Sequence, residues 1–261
     1  MQNRKQDRRN ELAKRYVQDI KSADIWSVFK IIADFVKGFE ELGDLGPSVT
    51  VFGSARTDVS DKYYEKASKL ASMLGERGFN IITGGGPGIM EASNKGAKEH
   101  SHVESVGLNI DLSFEQVANK YTTKQLNFDY FFSRKVMLVK YSIAYVIFPG
   151  GYGTLDELFE SLTLVQTRKV TGVKIFVIGI DFYKPLLQFI EEKLHKSGMI
   201  DDVDLEIIRL TDDLDCVVRE IEESLLTQIE LLEEVGLTDT KYYKSLSNFS
   251  QDIDSVKNED K

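Results

Sequence analysis

The chain has 261 residues, of which 42% are hydrophobic and 10% aromatic, with one cysteine and a net charge of −9. That length suits one large domain with appendages, or at most two domains. The single cysteine, Cys216, excludes an internal disulfide framework and a cysteine-based metal cluster, and the negative balance argues against nucleic acid as the main partner. The charge is uneven: residues 1–20 hold six basic and three acidic side chains, whereas residues 201–261 hold six basic and eighteen acidic ones. No run reaches the roughly 18 apolar residues of a membrane span, and the opening "MQNRKQDRRN" lacks the apolar region of a signal peptide. The expectation is a cytoplasmic protein without membrane contact.

Along the chain, Leu12, Tyr16 and Ile20 recur at helical spacing. After "SAD", the same holds for Ile25, Phe29, Ile32, Phe35, Val36 and Phe39, with Trp26 beside them. This second helix either covers its own domain or packs across a subunit interface. Gly43, Gly46 and Pro47 end it. Apolar strands and helices then alternate. "SVTVFGS" reads as a strand, residues 62–77 as a helix and "FNIITGGG" as a strand entering a glycine loop. "GIMEASNKGAKE" is a helix and "VESVGLNI" a strand, and residues 109–131 form a less regular connection. "SRKVMLVKY" is helical, "AYVIF" a strand and "GTLDELFESLTLVQT" a helix. "VKIFVIG", a helix to Ser197, the short strand "EIIRLTDD" and a helix over 213–233 follow. Residues 245–261 are polar and expected to be disordered. The alternation predicts an α/β fold, a Rossmann-like doubly wound parallel sheet with helices on both faces. Helical extensions at 1–47 and 221–261 flank a catalytic domain at 48–220.

Ligands of such sheets bind outside the carboxyl ends of the strands, near the switch point. Three loops there have suitable chemistry: Gly53 to Arg56, Gly84 to Gly88, and Pro149 to Thr154. In "TGGGPGIMEA", Gly84, Gly85, Gly86 and Gly88 allow close backbone approach, and the helix start offers unpaired N–H groups. Ile89 stands where the dinucleotide fingerprint needs a third glycine, and the Walker lysine is absent. "PGGYGT" supplies Gly150, Gly151, Tyr152, Gly153 and Thr154, the last able to cap the helix and to donate its hydroxyl to a phosphate. Two such loops on one sheet predict a ligand of mononucleotide size with one phosphate.

Asp156 and Glu157 fall in the expected first turn of that helix. Compensation of the helix dipole accounts for acids there, but not for their placement beside an anion site. A nucleotide reconciles the two: its phosphate lies on the N–H groups while a carboxylate faces its sugar. There the carboxylate can stabilise positive charge at the anomeric carbon or orient a water. Arg134 and Lys135, near the start of "SRKVMLVKY", need an anionic partner, either a phosphate or the carboxylate. His100 and His102 in "KEHSHVES" read as surface residues, and no metal or organic cofactor is expected.

These residues carry a resemblance. "PGGYGTLDE" is similar to the PGGxGTxxE motif of the LONELY GUY (LOG) family, and "GGGPGIMEA" to its upstream glycine motif, with the Arg-Lys pair between them. The similarity spans roughly residues 48–220, and the helical leader resembles the longer bacterial, type II branch. It implies hydrolysis of a nucleoside 5′-monophosphate, a cytokinin riboside monophosphate or AMP, to free base and ribose 5-phosphate. It implies Arg134 and Glu157 as the catalytic pair and Gly151 to Thr154 around the phosphate and sugar. Lys135, Thr163 and Glu115 become further substrate contacts, and Asp156 stands where many relatives have Glu. It also implies a homodimer or a higher homo-oligomer. The old lysine decarboxylase label of the family has no support in these residues. The alternative is a non-catalytic nucleotide or cofactor carrier on the same scaffold.

Overall fold

The computed structural model describes residues 25–111, 119–240 and 243–247. Seven strands form one sheet: β1 Ser48–Phe52, β2 Asn80–Thr83, β3 Ser105–Ile110, β4 Lys124–Phe128, β5 Ala144–Ile147, β6 Lys174–Ile178 and β7 Ile208–Thr211. Their order is β4-β3-β2-β1-β5-β6-β7, and every pair is parallel. This is the expected doubly wound sheet. Within the strands successive residues serve opposite faces. Val49, Val51, Ile81, Val146 and Phe176 enter one core, and Phe52, Ile82, Tyr145, Ile147 and Val177 enter the other.

Helices α2 (Lys62–Glu76), α3 (Ile89–Ala97) and α8 (Leu214–Glu234) cover the first face. Helices α1 (Ile25–Leu42), α4 (Phe131–Lys140), α5 (Tyr152–Gln166) and α6 (Ile180–Phe189) cover the second. A π-helical segment, Ile190–His195, continues α6, and a short helix α7 (Asp202–Leu205) precedes β7.

Three expectations are corrected here. The supposed irregular connection at 109–131 contains β4, an edge strand paired only with β3. Its "KQLNF" buries just Leu126 and Phe128, so the apolar signal is half that of a central strand. A boundary at 220/221 falls inside α8, whose Val217, Ile221, Leu225 and Ile229 lie in one continuous core. The disordered tail was expected from 245, but residues 243–247 are helical and Leu246 is buried in that core. The rest of the tail, and Leu12, Tyr16 and Ile20, lie outside the described residues.

Helix α1 packs on α4 through an unexpected stripe. Asp34, Gly38 and Leu42 are its buried positions, and a Cβ on Gly38 would come within 2.7 Å of Met137 Sδ. Trp26, Phe29, Ile32, Val36 and Phe39 are exposed. Among the described residues no helix is long and apolar enough to cross a membrane.

Candidate active site

The chain leaves β1 toward α2 on one face of the sheet and leaves neighbouring β5 toward α5 on the other. The two connections diverge, and a crevice opens between them, as expected of a switch point. The Ser54 N–H donates to Pro149 O at 3.0 Å and stitches the loops together below it. The crevice is a cavity of about 580 Å³, within the range of small-ligand sites. Its apolar lining includes Met90, Ile110, Phe131 and Leu138, with Met90 beside the Arg134 guanidinium at Gly84. Its polar lining includes Arg56, Arg134, Gly151 to Thr154, Asp156 and Glu157.

The second glycine loop forms the polar wall. Helix α5 begins at Tyr152, with Gly151 as N-cap and no side-chain cap. Thr154 is therefore inside the first turn rather than capping it. The N–H groups of Tyr152, Gly153 and Thr154 precede the first helical bond, from Leu155 N to Gly151 O at 3.0 Å, and are the donors a helix start leaves for an anion. Gly150 is required by packing, because a Cβ there would lie 2.1 Å from Thr154 Oγ1. Gly151 and Gly153 are different. Neither has positive φ, and a Cβ at either meets nothing within 4 Å. The unliganded fold does not demand glycine at these two cavity-lining positions.

The first glycine loop is occupied by the protein itself. The Gly85 N–H donates to Thr83 Oγ1 at 3.0 Å, and Gly86 O accepts from Asn119 Nδ2 at 3.1 Å. The Ile89 N–H at the start of α3 donates to Ser54 O at 3.0 Å. Gly88, at φ +69°, has the Ser54 carbonyl 2.3 Å from where its Cβ would be. Of this loop only Gly84 lines the cavity. Its Cβ would lie 2.1 Å from the Arg134 guanidinium, so this glycine makes room for that side chain.

Arg134 donates through Nε to Leu108 O at 2.6 Å and through a terminal nitrogen to Gly84 O at 3.4 Å. It sits deep in the protein yet stays partly accessible through the cavity. Burial lowers its pKa, opposed by the charge of Glu157. Lys135 points elsewhere, with Nζ 2.6 Å from Asp156 Oδ2 and 2.9 Å from Glu160 Oε2. These carboxylates outweigh the burial of Lys135 and raise its pKa.

Because α5 starts at Tyr152, no acid stands in its first turn, and dipole compensation loses its force for both. Asp156 is neutralised by Lys135. Glu157 shares the inward stripe with Thr154, Leu158 and Ser161. It is only 9% exposed, and its Oε2 is buried without a hydrogen-bond partner among the described residues. Burial pushes its pKa up to about 7, against the pull of Lys135 and Arg134 and with some help from Glu160 and Asp156.

The expected residues thus divide. Arg134, Glu157, Asp156, Gly84 and Gly151 to Thr154 converge on one cavity, which Lys135, Thr163, Gly85, Gly86, Gly88 and Gly150 do not line. Thr163 is more than two turns further along α5, its hydroxyl on Phe159 O at 2.8 Å. Glu115 lies outside the described residues. The sequence reading missed the apolar wall, although Phe131, Arg134 and Leu138 recur at helical spacing on α4. Arg56 at the cavity edge was noticed as part of a loop but not as a site residue.

A doubly wound parallel sheet with its cavity outside the switch point defines a Rossmann-like α/β protein. The comparisons then place it. A family model described as "Possible lysine decarboxylase" matches residues 90–221, half of the chain, and the chain belongs to this family, the LOG family. It is 30% identical over 156 residues to a probable cytokinin riboside 5′-monophosphate phosphoribohydrolase of Oryza sativa subsp. japonica, covering 57% of this chain and 61% of that protein. It is 25% identical over 182 residues to a cytokinin riboside 5′-monophosphate phosphoribohydrolase of Arabidopsis thaliana, covering 67% and 81%. Among solved structures, the molybdenum cofactor carrier protein of Chlamydomonas reinhardtii aligns with TM-score 0.50 and 17% identity over 69% of this chain and 99% of that one. The molybdenum cofactor binding protein of Rippkaea orientalis does so with TM-score 0.50 and 16% identity, over 68% and 96%. At these identities the structures speak for the fold alone. The decarboxylase description does not fit the site. Pyridoxal chemistry needs a lysine free to form a Schiff base. Among the described residues no lysine lines the cavity, and nearby Lys135 is held by two carboxylates.

Two outcomes follow from this geometry. Gly153→Ala should raise stability by up to about 1 kcal/mol, since alanine suits a helix better than glycine. It should also weaken phosphate-bearing ligands by about tenfold, since the added methyl pushes the anion back from amides that alanine keeps, and weakening of one charge-assisted hydrogen bond has that scale. Thermal melts with ligand titration check both, and unchanged affinity would contradict the assignment of this wall. The second concerns Glu157. Its folded pKa of about 7 lies above the ordinary glutamate value of 4.5. The folded state therefore binds the proton more tightly, and stability falls as pH rises from about 4.5 to 7, by about 3 kcal/mol at most. Glu157→Gln removes that penalty. The variant should melt higher than the parent at pH 8, with the gap closing by pH 5, and equal melting at pH 8 would contradict the burial argument.

Proposed function

We propose that this protein hydrolyses the N-glycosidic bond of a nucleoside 5′-monophosphate, releasing the free base and ribose 5-phosphate. The carrying observation is Glu157: a buried carboxyl with an unpartnered oxygen, poised near neutrality, in the same cavity as Arg134 and the open amides of α5. The 5′-phosphate rests on the N–H groups of Tyr152, Gly153 and Thr154. The base lies against Met90, Ile110, Phe131 and Leu138, and the ribose between them faces Glu157. As the C1′–N bond breaks, its electron pair leaves with the base and positive charge grows on the sugar. The Glu157 carboxylate stabilises that charge and takes a proton from the attacking water, whose oxygen bonds to C1′. The proton returns to the departing base, so one water is consumed. Arg134 holds the charge balance of the site and presents its guanidinium to the substrate. No step needs a metal or redox partner. The activity by which the rice and Arabidopsis relatives are named supports this reaction class. AMP and N6-prenylated riboside monophosphates are the substrates to compare.

Incubation with AMP and with isopentenyladenosine monophosphate, followed by chromatography of the free base, tests the proposal. Glu157→Gln should lower turnover by about 10²- to 10⁴-fold with the fold intact. Arg134→Ala should also lose most activity and Arg134→Lys should not restore it, because an ammonium cannot replace a guanidinium fixed by two acceptors. Near-normal turnover of Glu157→Gln would rule out its role. Ligand binding by the parent without base release would favour the carrier reading.

We also propose that the chain self-associates through α1. Trp26, Phe29, Ile32, Val36 and Phe39 expose large apolar surface along one helix, which marks an association site, and symmetric homo-oligomers are its commonest resolution. Light scattering should show a dimer or larger species, dissociated by Phe29→Asp with Ile32→Asp. A monodisperse species at the chain mass of 29.6 kDa would contradict this.

A further inference from the structure

Helix α4 carries Arg134 but cannot cap itself. Its N-cap residue is Tyr130, with no side-chain cap and no acid in its first turn. A helix start in that condition leaves several N–H groups unsatisfied, and cations near it oppose the dipole. An acceptor from another element takes the N-cap N–H and the N–H before it. Asp34 of α1 is 3% exposed, and its Oδ2 accepts from Asp129 N at 2.9 Å, Tyr130 N at 3.1 Å and Ser133 Oγ at 2.8 Å. Its Oδ1 lies 3.2 Å from Lys37 Nζ. Burial pushes the carboxyl upward, but hydrogen bonds from Ser133, Lys37, Tyr130 and Asp129 outweigh it and hold the pKa below the usual range. Asp34 is therefore a charged cap.

The cap lies one turn from the site. Arg134 N donates to Tyr130 O at 3.2 Å, the turn whose entrance Asp34 fixes. From that turn the side chain of Arg134 reaches Leu108 O and Gly84 O. We infer that Asp34 is a positioning residue for the site: through the first turn of α4 it sets where the Arg134 guanidinium stands in the cavity. The helix that supplies it, α1, lies outside the 90–221 match, so the leader is part of the site's machinery as well as an apolar surface. The kinetic part of this inference rests on the proposed hydrolysis; the structural part does not.

Three full-length variants test it: Asp34→Ala, Asp34→Asn and Lys37→Met. Hydrogen exchange over residues 129–135, read by mass spectrometry, reports the cap without any activity. Exchange there should quicken in Asp34→Ala while strands β1 and β5 stay protected. With AMP or the prenylated analogue, kcat should fall roughly 10- to 100-fold, the scale of a small misplacement of a catalytic group. KM should stay within about threefold, because the phosphate wall on α5 is untouched. Asp34→Asn keeps an acceptor oxygen but loses the charge, so its exchange should quicken and its kcat fall, each by less than in Asp34→Ala, and Lys37→Met, which leaves the three bonds to Oδ2, should resemble the parent. If Asp34→Ala does not fold, the Asn and Met variants decide: the inference then requires quickened exchange and lowered kcat in the Asn variant beyond those of Lys37→Met. Unchanged exchange at 129–135, or quickened exchange with unchanged kcat, would overturn it. A parent that releases no base would sink the hydrolysis proposal, while the exchange arm would still judge the cap.

Discussion

The Arg134 guanidinium rests on two backbone carbonyls, Leu108 O and Gly84 O, and not on a carboxylate. Carbonyls hold the group in place without cancelling its charge, and that charge remains directed at the cavity. Much else is arranged around this. Gly84 must lack a Cβ for the guanidinium to fit. Asp156 and Glu160 are held by Lys135. Glu157 remains on the inward stripe of α5, close enough to feel Arg134 and Lys135 yet desolvated enough to titrate near 7. Among the described residues, a cation held by carbonyls, a carboxyl whose pKa is pushed up to about 7 and the leading amides of α5 form a charge arrangement that a bound anion would complete.

Adjacent carboxylates beside a phosphate site looked contradictory in the sequence, and the helix start explains why. With α5 opening at Tyr152, the amides lead and the acids follow in the second turn. Asp156 turns to Lys135 and Glu157 turns inward. The order of elements was legible because every central strand is a run of buried apolar residues, and the second glycine loop because its spacing is specific. Edge strand β4 was not, since a strand packed on one face shows half the apolar signal. The first glycine loop misled for a physical reason: glycine permits close approach of any backbone, and here the approaching groups are Ser54, Asn109 and Arg134 of the same chain. The buried face of α1 was not legible either. Apolar periodicity pointed to Phe29, Ile32 and Val36, whereas the buried stripe is Asp34, Gly38 and Leu42. An aspartate within "IIADFV" was the available signal, but its partners on α4 are about a hundred residues away in sequence.

The carrier and the hydrolase readings make different demands on one scaffold. A carrier needs the cavity, the α5 amides and a cation. It gains nothing from a desolvated carboxyl inside the cavity, which costs stability above neutral pH and repels an anionic ligand. The proposed hydrolysis gives such a group a use. The similarity of the chain to its cofactor-carrying neighbours in fold, at 17% and 16% identity, extends to architecture only.

The central claim is therefore the state of Glu157. Carbon-13 NMR of the glutamate side-chain carboxyls, with Glu157→Gln to assign the resonance, reads its titration directly in the intact protein. The account predicts a midpoint near 7, well separated from the surface glutamates. A midpoint near 4.5, with Glu157 titrating among them, would contradict it.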